Sequence, residues 1–263
     1  MNHVIVTGAA HGIGAAIAIA FARRGDLVTL VDRDEALIHH SAARIQDGGG
    51  LVGALLVIDL SLPDSAELVI EEAWQRAPVD VLVSAAGIYP SVDVLDLDAE
   101  VWDRVQSINT RAPMLLTAAL ARRAVQEGRS ASIVNISSGA AARARPGGSA
   151  YSTSKAALEA ATRAAALELA AHGIRVNAVA PGFIAVASEL NPVTDEYARA
   201  VGQNPLGRPG TPEDVARAVL WIAGDDASWV TGETIRVDGG SGTGAWTLPR
   251  LGPSSPQHEG AHR

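Results

Sequence analysis

The chain has 263 residues, of which 48% are hydrophobic but only 4% aromatic, with a formal net charge of −8, 7 histidines and no cysteine. An acidic chain without a basic run repels phosphate backbones, which argues against a nucleic-acid partner. Without cysteine there are no disulfides, thiol nucleophiles or thiolate metal ligands, and no metal site is expected.

The first predicted strand, Val4–Thr7, begins too close to Met1 to leave room for a signal peptide. No apolar run approaches the ~18 residues of a membrane span. A soluble, cytoplasmic protein without a membrane partner is expected. The strand leads into Gly8, His11, Gly12, Ile13 and Gly14, followed by an alanine-rich helix near 14–24. Glycines at such a turn let backbone N–H groups approach a pyrophosphate at the positive end of the helix. The second strand, Leu27–Val31, ends at Asp32, eighteen residues past Gly14. A carboxylate there accepts hydrogen bonds from an adenosine ribose, with capping of the next helix as the lesser alternative. Because it repels a 2′-phosphate, NAD is expected over NADP; Arg33 beside it is the counter-signal, since arginine pairs with phosphate.

Helix 34–46, strand Leu51–Ile58 with Asp59-Leu60 after it, and helix 63–77 follow. Strand Val79–Ser84 runs into Ala86 and Gly87, and a long helix near 98–127 carries Asn109. Strand Ser132–Ile136 precedes Ser137 and Ser138, and helix 150–172 closes at Gly173. Strand Arg175–Ala180 turns at Pro181-Gly182 into a proline-punctuated segment, 183–210, that suits a flap over a site. Helix 211–223, opened by Thr211-Pro212-Glu213-Asp214, and strand Thr234–Val237 complete the pattern. Such alternation implies one Rossmann-type α/β domain over residues 1–240, a doubly wound parallel sheet of about seven strands with helices on both faces and ligands at the carboxyl ends of the strands. The tail, 241–263, with Trp246, Leu248 and Leu251 as its apolar exceptions, has a composition that favours disorder or docking on a neighbouring subunit.

Tyr151 and Lys155, four apart on a helix, share one face. Ionising a phenol of pKa ~10 at neutral pH costs roughly 4 kcal/mol at ~1.36 kcal/mol per unit. A lysine ammonium beside it offsets much of that cost. Ser138, thirteen residues upstream, is better spaced than Ser137 to hydrogen-bond at the same place.

With these residues the chain resembles the short-chain dehydrogenase/reductase family from about Val4 to Gly240, in the manner of its 3-oxoacyl reductases and secondary alcohol dehydrogenases. Thr7, Gly8, Gly12 and Gly14 match the family's glycine motif, and Asp59-Leu60 its adenine-contacting pair. Ser138, Tyr151 and Lys155, with Asn109 as fourth member, match its catalytic set. Pro181-Gly182, with Ile184 just beyond, resembles the turn beside the nicotinamide. Two departures stand out. The family's Asn-Asn-Ala-Gly is here Ser84-Ala85-Ala86-Gly87, which leaves a bond between central strands to be lost or taken over by Ser84. A threonine that holds the nicotinamide amide is here Val186, with Ser188 or backbone as substitute.

The resemblance implies hydride exchange between a nicotinamide and a secondary alcohol or ketone, with Tyr151 as general acid/base, Lys155 tuning it and holding the ribose, Ser138 binding the substrate oxygen and Asn109 fixing a water. An NADPH-dependent reductase of 3-oxoacyl thioesters and a non-catalytic dinucleotide sensor are the alternatives. Phe183, Ile184, Leu190, Tyr197 and Val201, with Tyr89 and Pro90, make an apolar wall for a small-molecule substrate. Arg143 and Arg145 would suit an anionic one. Alanines at 156, 160 and 164, and at 157, 161 and 165, allow close helix packing, and the family implies a homotetramer or homodimer through helices 98–127 and 150–172.

Overall fold

Seven strands form one parallel sheet in the order β3-β2-β1-β4-β5-β6-β7. The computed structural model describes residues 1–184, 186, 194–245 and 247–248. The strands are β1 (His3–Thr7), β2 (Leu27–Asp32), β3 (Leu51–Val57), β4 (Val81–Ser84), β5 (Ala131–Ile136), β6 (Ile174–Pro181) and β7 (Thr234–Val237). The helices are α1 (Gly12–Arg23), α2 (Glu35–Asp47), α3 (Ser65–Trp74), α4 (Ala99–Gln106), α5 (Ala112–Gln126), α6 (Ser149–Leu169), α7 (Asp195–Val201) and α8 (Pro212–Ala223).

Side chains of a strand alternate between the faces of its sheet, and both faces here are apolar. Val4, Val6, Leu30, Val83 and Val134 pack under α1, α2 and α8 through Ile17, Phe21, Ile38, Val219 and Ile222. Ile5, Val31, Leu82, Ile133 and Val176 pack under α3, α5 and α6 through Val69, Leu116, Leu120 and Ala165. With so few aromatics, alanines at these contacts bring helix and sheet close. Gly173 ends the turn after α6 at φ +71°. Thr211 and Asp214 form a reciprocal capping box at α8.

The helix expected over 98–127 is broken: α4 and α5 are separated by a π-helical turn, Ser107–Arg111. Pro113, in the first turn of α5, is the cause that can be named. It has no N–H to give the carbonyl four residues earlier, that of Asn109. Hydrophobic periodicity does not register one extra residue in a turn, and π turns gather at functional sites.

The sheet reverses its winding between β1 and β4, which are neighbours. A crevice opens outside their carboxyl ends, the place where open α/β sheets hold ligands. Among the described residues, no helix is long and apolar enough to cross a membrane.

Candidate active site

At the end of β1, Gly8 and Gly12 take φ of +66° and +57°, where an L side chain is strained. A Cβ on Gly8 would meet the Ala86 Cα at 2.7 Å, and one on Gly14 would meet the Gly8 carbonyl oxygen at 2.0 Å. The turn therefore lies flat against the end of β4 and under the first turn of α1. That first turn contains no acidic residue, so its N–H groups and positive dipole end suit a phosphate. His11 is exposed at the N-cap and makes no capping bond through its side chain, and Ile13 beside it is half-buried. This cradle fits a dinucleotide.

Ser84 does not take over the missing amide bond. Its hydroxyl is buried without a partner. Just beyond the paired residues of β1 and β4, the Thr7 Oγ1 accepts from Ala85 N–H at 3.1 Å and Ala86 N–H at 3.2 Å. The hydroxyl thus holds Ala86-Gly87 over the glycine turn, a role that was readable only as a motif letter in the sequence.

Asp32, at the end of β2, accepts the Ala10 amide at 3.0 Å and the Asp34 amide at 3.1 Å. It does not cap α2; Asp34 does, accepting from Leu37 N–H at 3.0 Å. The Asp32 carboxylate is thereby tied to the glycine turn with a lone pair to spare on each oxygen. Asp59 is exposed and begins a turn, accepting from Ser61 N–H at 2.8 Å. That bond is the main reason its carboxyl titrates low, with the Arg33 and Arg104 charges adding to it. Leu60 is buried. A pocket of about 350 Å³ opens here, lined by Arg33, Asp59, Arg104 and Arg111 among others.

At the nicotinamide end expected from the resemblance, Asn109, Tyr151, Lys155 and Ser138 meet. Asn109, fully buried, accepts from Ile88 N–H at 2.9 Å and donates to Ile88 O at 2.8 Å and to Ser154 Oγ at 3.0 Å. Its side chain is thus committed to the protein. Ser154 in turn donates to the Tyr151 carbonyl at 2.7 Å. Sequence reading missed Ser154, although it lies one helical turn from Tyr151. Gly87 admits this packing: a Cβ there would meet Asn109 Oδ1 at 3.3 Å and Lys155 Nζ at 3.5 Å.

Lys155 is buried, and its Nζ donates to the Ile136 carbonyl at 2.8 Å. Burial lowers its pKa to about 8, so the ammonium persists at neutral pH. The expected depression of the tyrosine does not follow. Burial raises the Tyr151 pKa, and the groups that oppose this are Ser138, by hydrogen bonding, and Arg145, by charge. Lys155 Nζ lies 5.9 Å from the Tyr151 ring centroid and hydrogen-bonds elsewhere. Ser138 stands at the end of β5 and also accepts from Ala140 N–H at 3.1 Å. Ser137 is occupied, donating to Glu159 at 2.7 Å. Tyr89 meets Tyr151 edge to face at 5.9 Å.

Pro181 ends β6 and Gly182 donates to the Val237 carbonyl at 2.9 Å. Ile184 bridges to Gly210, pinning the two ends of the segment between them. Val186 lies over the glycine turn, its Cγ1 3.0 Å from where a Cβ on Gly12 would stand. Ser188 and Leu190, the Tyr197 side chain, and Trp246 and Leu251 of the tail lie outside the described residues.

A family model described as enoyl-(acyl carrier protein) reductase matches residues 8–242. Galactitol 2-dehydrogenase (L-tagatose-forming) of Cereibacter sphaeroides is 36% identical over 239 residues, covering 89% of this chain and 92% of its own. A 3-oxoacyl-acyl-carrier-protein reductase of Thermotoga maritima is 36% identical over 244 residues, covering 90% and 96%. Among solved structures, a candidate NAD(P) dependent gluconate 5-dehydrogenase from Beutenbergia cavernae, with NADP bound at low occupancy, is 35% identical with a TM-score of 0.83, covering 90% of this chain and 95% of its own.

Proposed function

This chain belongs to the short-chain dehydrogenase/reductase family and is an NAD(P)-dependent oxidoreductase acting on CH–OH groups; from that premise we propose that it interconverts a secondary alcohol and a ketone, with Tyr151 as general acid/base. The observation that carries this reading is the meeting of Tyr151, Lys155, Ser138 and Asn109 beside the glycine turn at the reversal of the sheet.

When bound, the nicotinamide supplies or takes the hydride. In oxidation Tyr151 takes the hydroxyl proton, so alcohol and NAD(P)⁺ give ketone, NAD(P)H and a proton; in reduction Tyr151 returns a proton to the carbonyl oxygen. Ser138 hydrogen-bonds that same oxygen as charge develops on it. Lys155 holds ribose hydroxyls. Asn109 positions a water and locks Ile88 and Ser154 through its side chain. Gly8, His11, Gly12, Ile13 and Gly14 cradle the pyrophosphate, with Ala86, Gly87, Pro181, Gly182 and Ile184 along the cofactor's path.

NAD is the proposed cofactor, because the half-buried Asp32 carboxylate at the end of β2 keeps a lone pair on each oxygen for a ribose diol. A second reading, an NADPH-dependent reductase of 3-oxoacyl thioesters, is favoured by Arg33, Arg104 and Arg111 around the neighbouring pocket and by the names of several relatives. Nothing favours a non-catalytic sensor. The same reading makes 183–210 a cover for the substrate and the cytoplasm the site of action. It also makes the protein a homotetramer, for which the exposed row Ala156, Ala160 and Ala164 on α6 offers a close-packing face. A panel of secondary alcohols and 3-oxoacyl thioesters, each assayed with NAD(H) and NADP(H), tests the proposal. Turnover of simple secondary alcohols with NAD supports it, and turnover confined to thioesters with NADPH sinks it in favour of the second reading.

A further inference from the structure

The loop between Ser138 and α6 carries Arg143 and Arg145, and from Ser138 to Leu158 the chain has three cations and no acid, within a protein of net charge −8. Arg145 is the one that reaches the site. Its guanidinium carbon lies 5.8 Å from the centroid of the Tyr151 ring, and the residue is exposed to solvent. Arg143 points elsewhere, donating to Ser241 Oγ at 3.4 Å.

Arg145 is held there by local backbone. Arg145-Pro146-Gly147-Gly148 forms a β-turn closed by Gly148 N–H to Arg145 O at 3.1 Å, with Gly147 at φ +67°. Proline at the second position and a positive φ at the third are the features of a type II turn. The Arg145 stem lies across Gly148: a Cβ there would meet Arg145 Cγ at 2.8 Å and Nε at 3.3 Å. Gly147 O accepts from Val92 N–H at 3.0 Å, fastening the turn to the loop that carries Tyr89. Tyr89, Tyr151 and Arg145 thus line one side of the approach to the proposed acid/base.

We infer that Arg145 binds substrate and selects carbonyl compounds or alcohols that carry an anionic group, such as a carboxylate or phosphate, a few bonds from the reacting carbon. The inference rests on the alcohol–ketone reading of this site. A guanidinium presents a planar fork of donors that matches such oxyanions. Apolar contact with Tyr89 would then seat the carbon chain between the anion and the carbonyl.

The test compares reduction of matched pairs by the full chain at saturating reduced cofactor. The pairs are 3-oxobutanoate and its methyl ester, 4-oxopentanoate and its methyl ester, and dihydroxyacetone phosphate and dihydroxyacetone. In the wild type, at least one anion is expected to have the higher kcat/KM of its pair. In Arg145→Ala that anion-to-neutral ratio should fall about ten- to a hundredfold, Arg145→Lys should keep part of it, and Arg143→Ala should change it little. Neutral members reduced as well as the anions in every pair, or a ratio unmoved by Arg145→Ala, would overturn the inference while leaving the alcohol–ketone reading standing. No reduction of any ketone, charged or neutral, with either cofactor would remove both.

Discussion

The Lys155 Nζ sits 5.9 Å from the centroid of the Tyr151 ring, its ammonium buried and bonded to the Ile136 carbonyl. A lysine so placed is a cost to the fold. Its pKa of about 8 lies below the ordinary 10.5, so between those values the unfolded chain holds more protons and stability rises with pH. Below pH 8 the whole penalty applies. Lys155→Met is therefore expected to be more stable than the wild type by about 1–3 kcal/mol at pH 7, with the gain shrinking between pH 8 and 10.5, and to lose turnover. Urea unfolding at pH 7 and 10 checks the sign.

Thr7 clamps the chain just beyond the paired central strands. Thr7→Val keeps the shape and removes the acceptor, leaving the Ala85 and Ala86 amides unpaired. A loss of about 1–3 kcal/mol is expected, together with a raised KM for the dinucleotide because Ala86 would no longer be held against Gly8. Thr7→Ser should restore both. Denaturant titration and cofactor kinetics on the three proteins decide it.

Asp32→Ser should lower kcat/KM for NAD by about tenfold or more and improve NADP relative to NAD, since a ribose acceptor and a repelling charge are removed together. Arg33→Ala should have the opposite effect on NADP. Initial rates with both cofactors measure this directly.

Arg145 is the cation that opposes the burial of Tyr151. Removing a positive charge raises the phenol's pKa, so in Arg145→Ala the acid limb of the pH profile for oxidation of a neutral secondary alcohol should move to higher pH. An unmoved limb would mean that the guanidinium does not act on the phenol.

The fold was legible because each strand is a short apolar run between turn residues and each helix has a cap or a periodic face. Val4–Thr7 and Thr211–Asp214 needed nothing from the rest of the chain. The π turn was not legible: Ser107–Arg111 continues the helical pattern of its neighbours, and only Pro113 hints that the ladder breaks. Within the site, residue types and order pointed to Tyr151, Lys155 and Ser138 as one group, and the family resemblance added Asn109. What spacing could not give was which neighbour sets the charge balance. Lys155 was expected to tune the phenol, whereas in the folded chain Ser138 and Arg145 do so, because the ammonium turns to Ile136. The hold of Thr7 on the Ala85 and Ala86 amides was hidden for a similar reason: Ala85 lies 78 residues away from it in sequence.

The most direct measurement is turnover by Tyr151→Phe alongside its dinucleotide affinity. The phenyl ring keeps the contact with Tyr89 and loses only the hydroxyl. Loss of kcat by about 10²–10⁴-fold, with dinucleotide affinity close to the wild type, is the expected result. Wild-type turnover by Tyr151→Phe would contradict the assignment of the acid/base to this phenol.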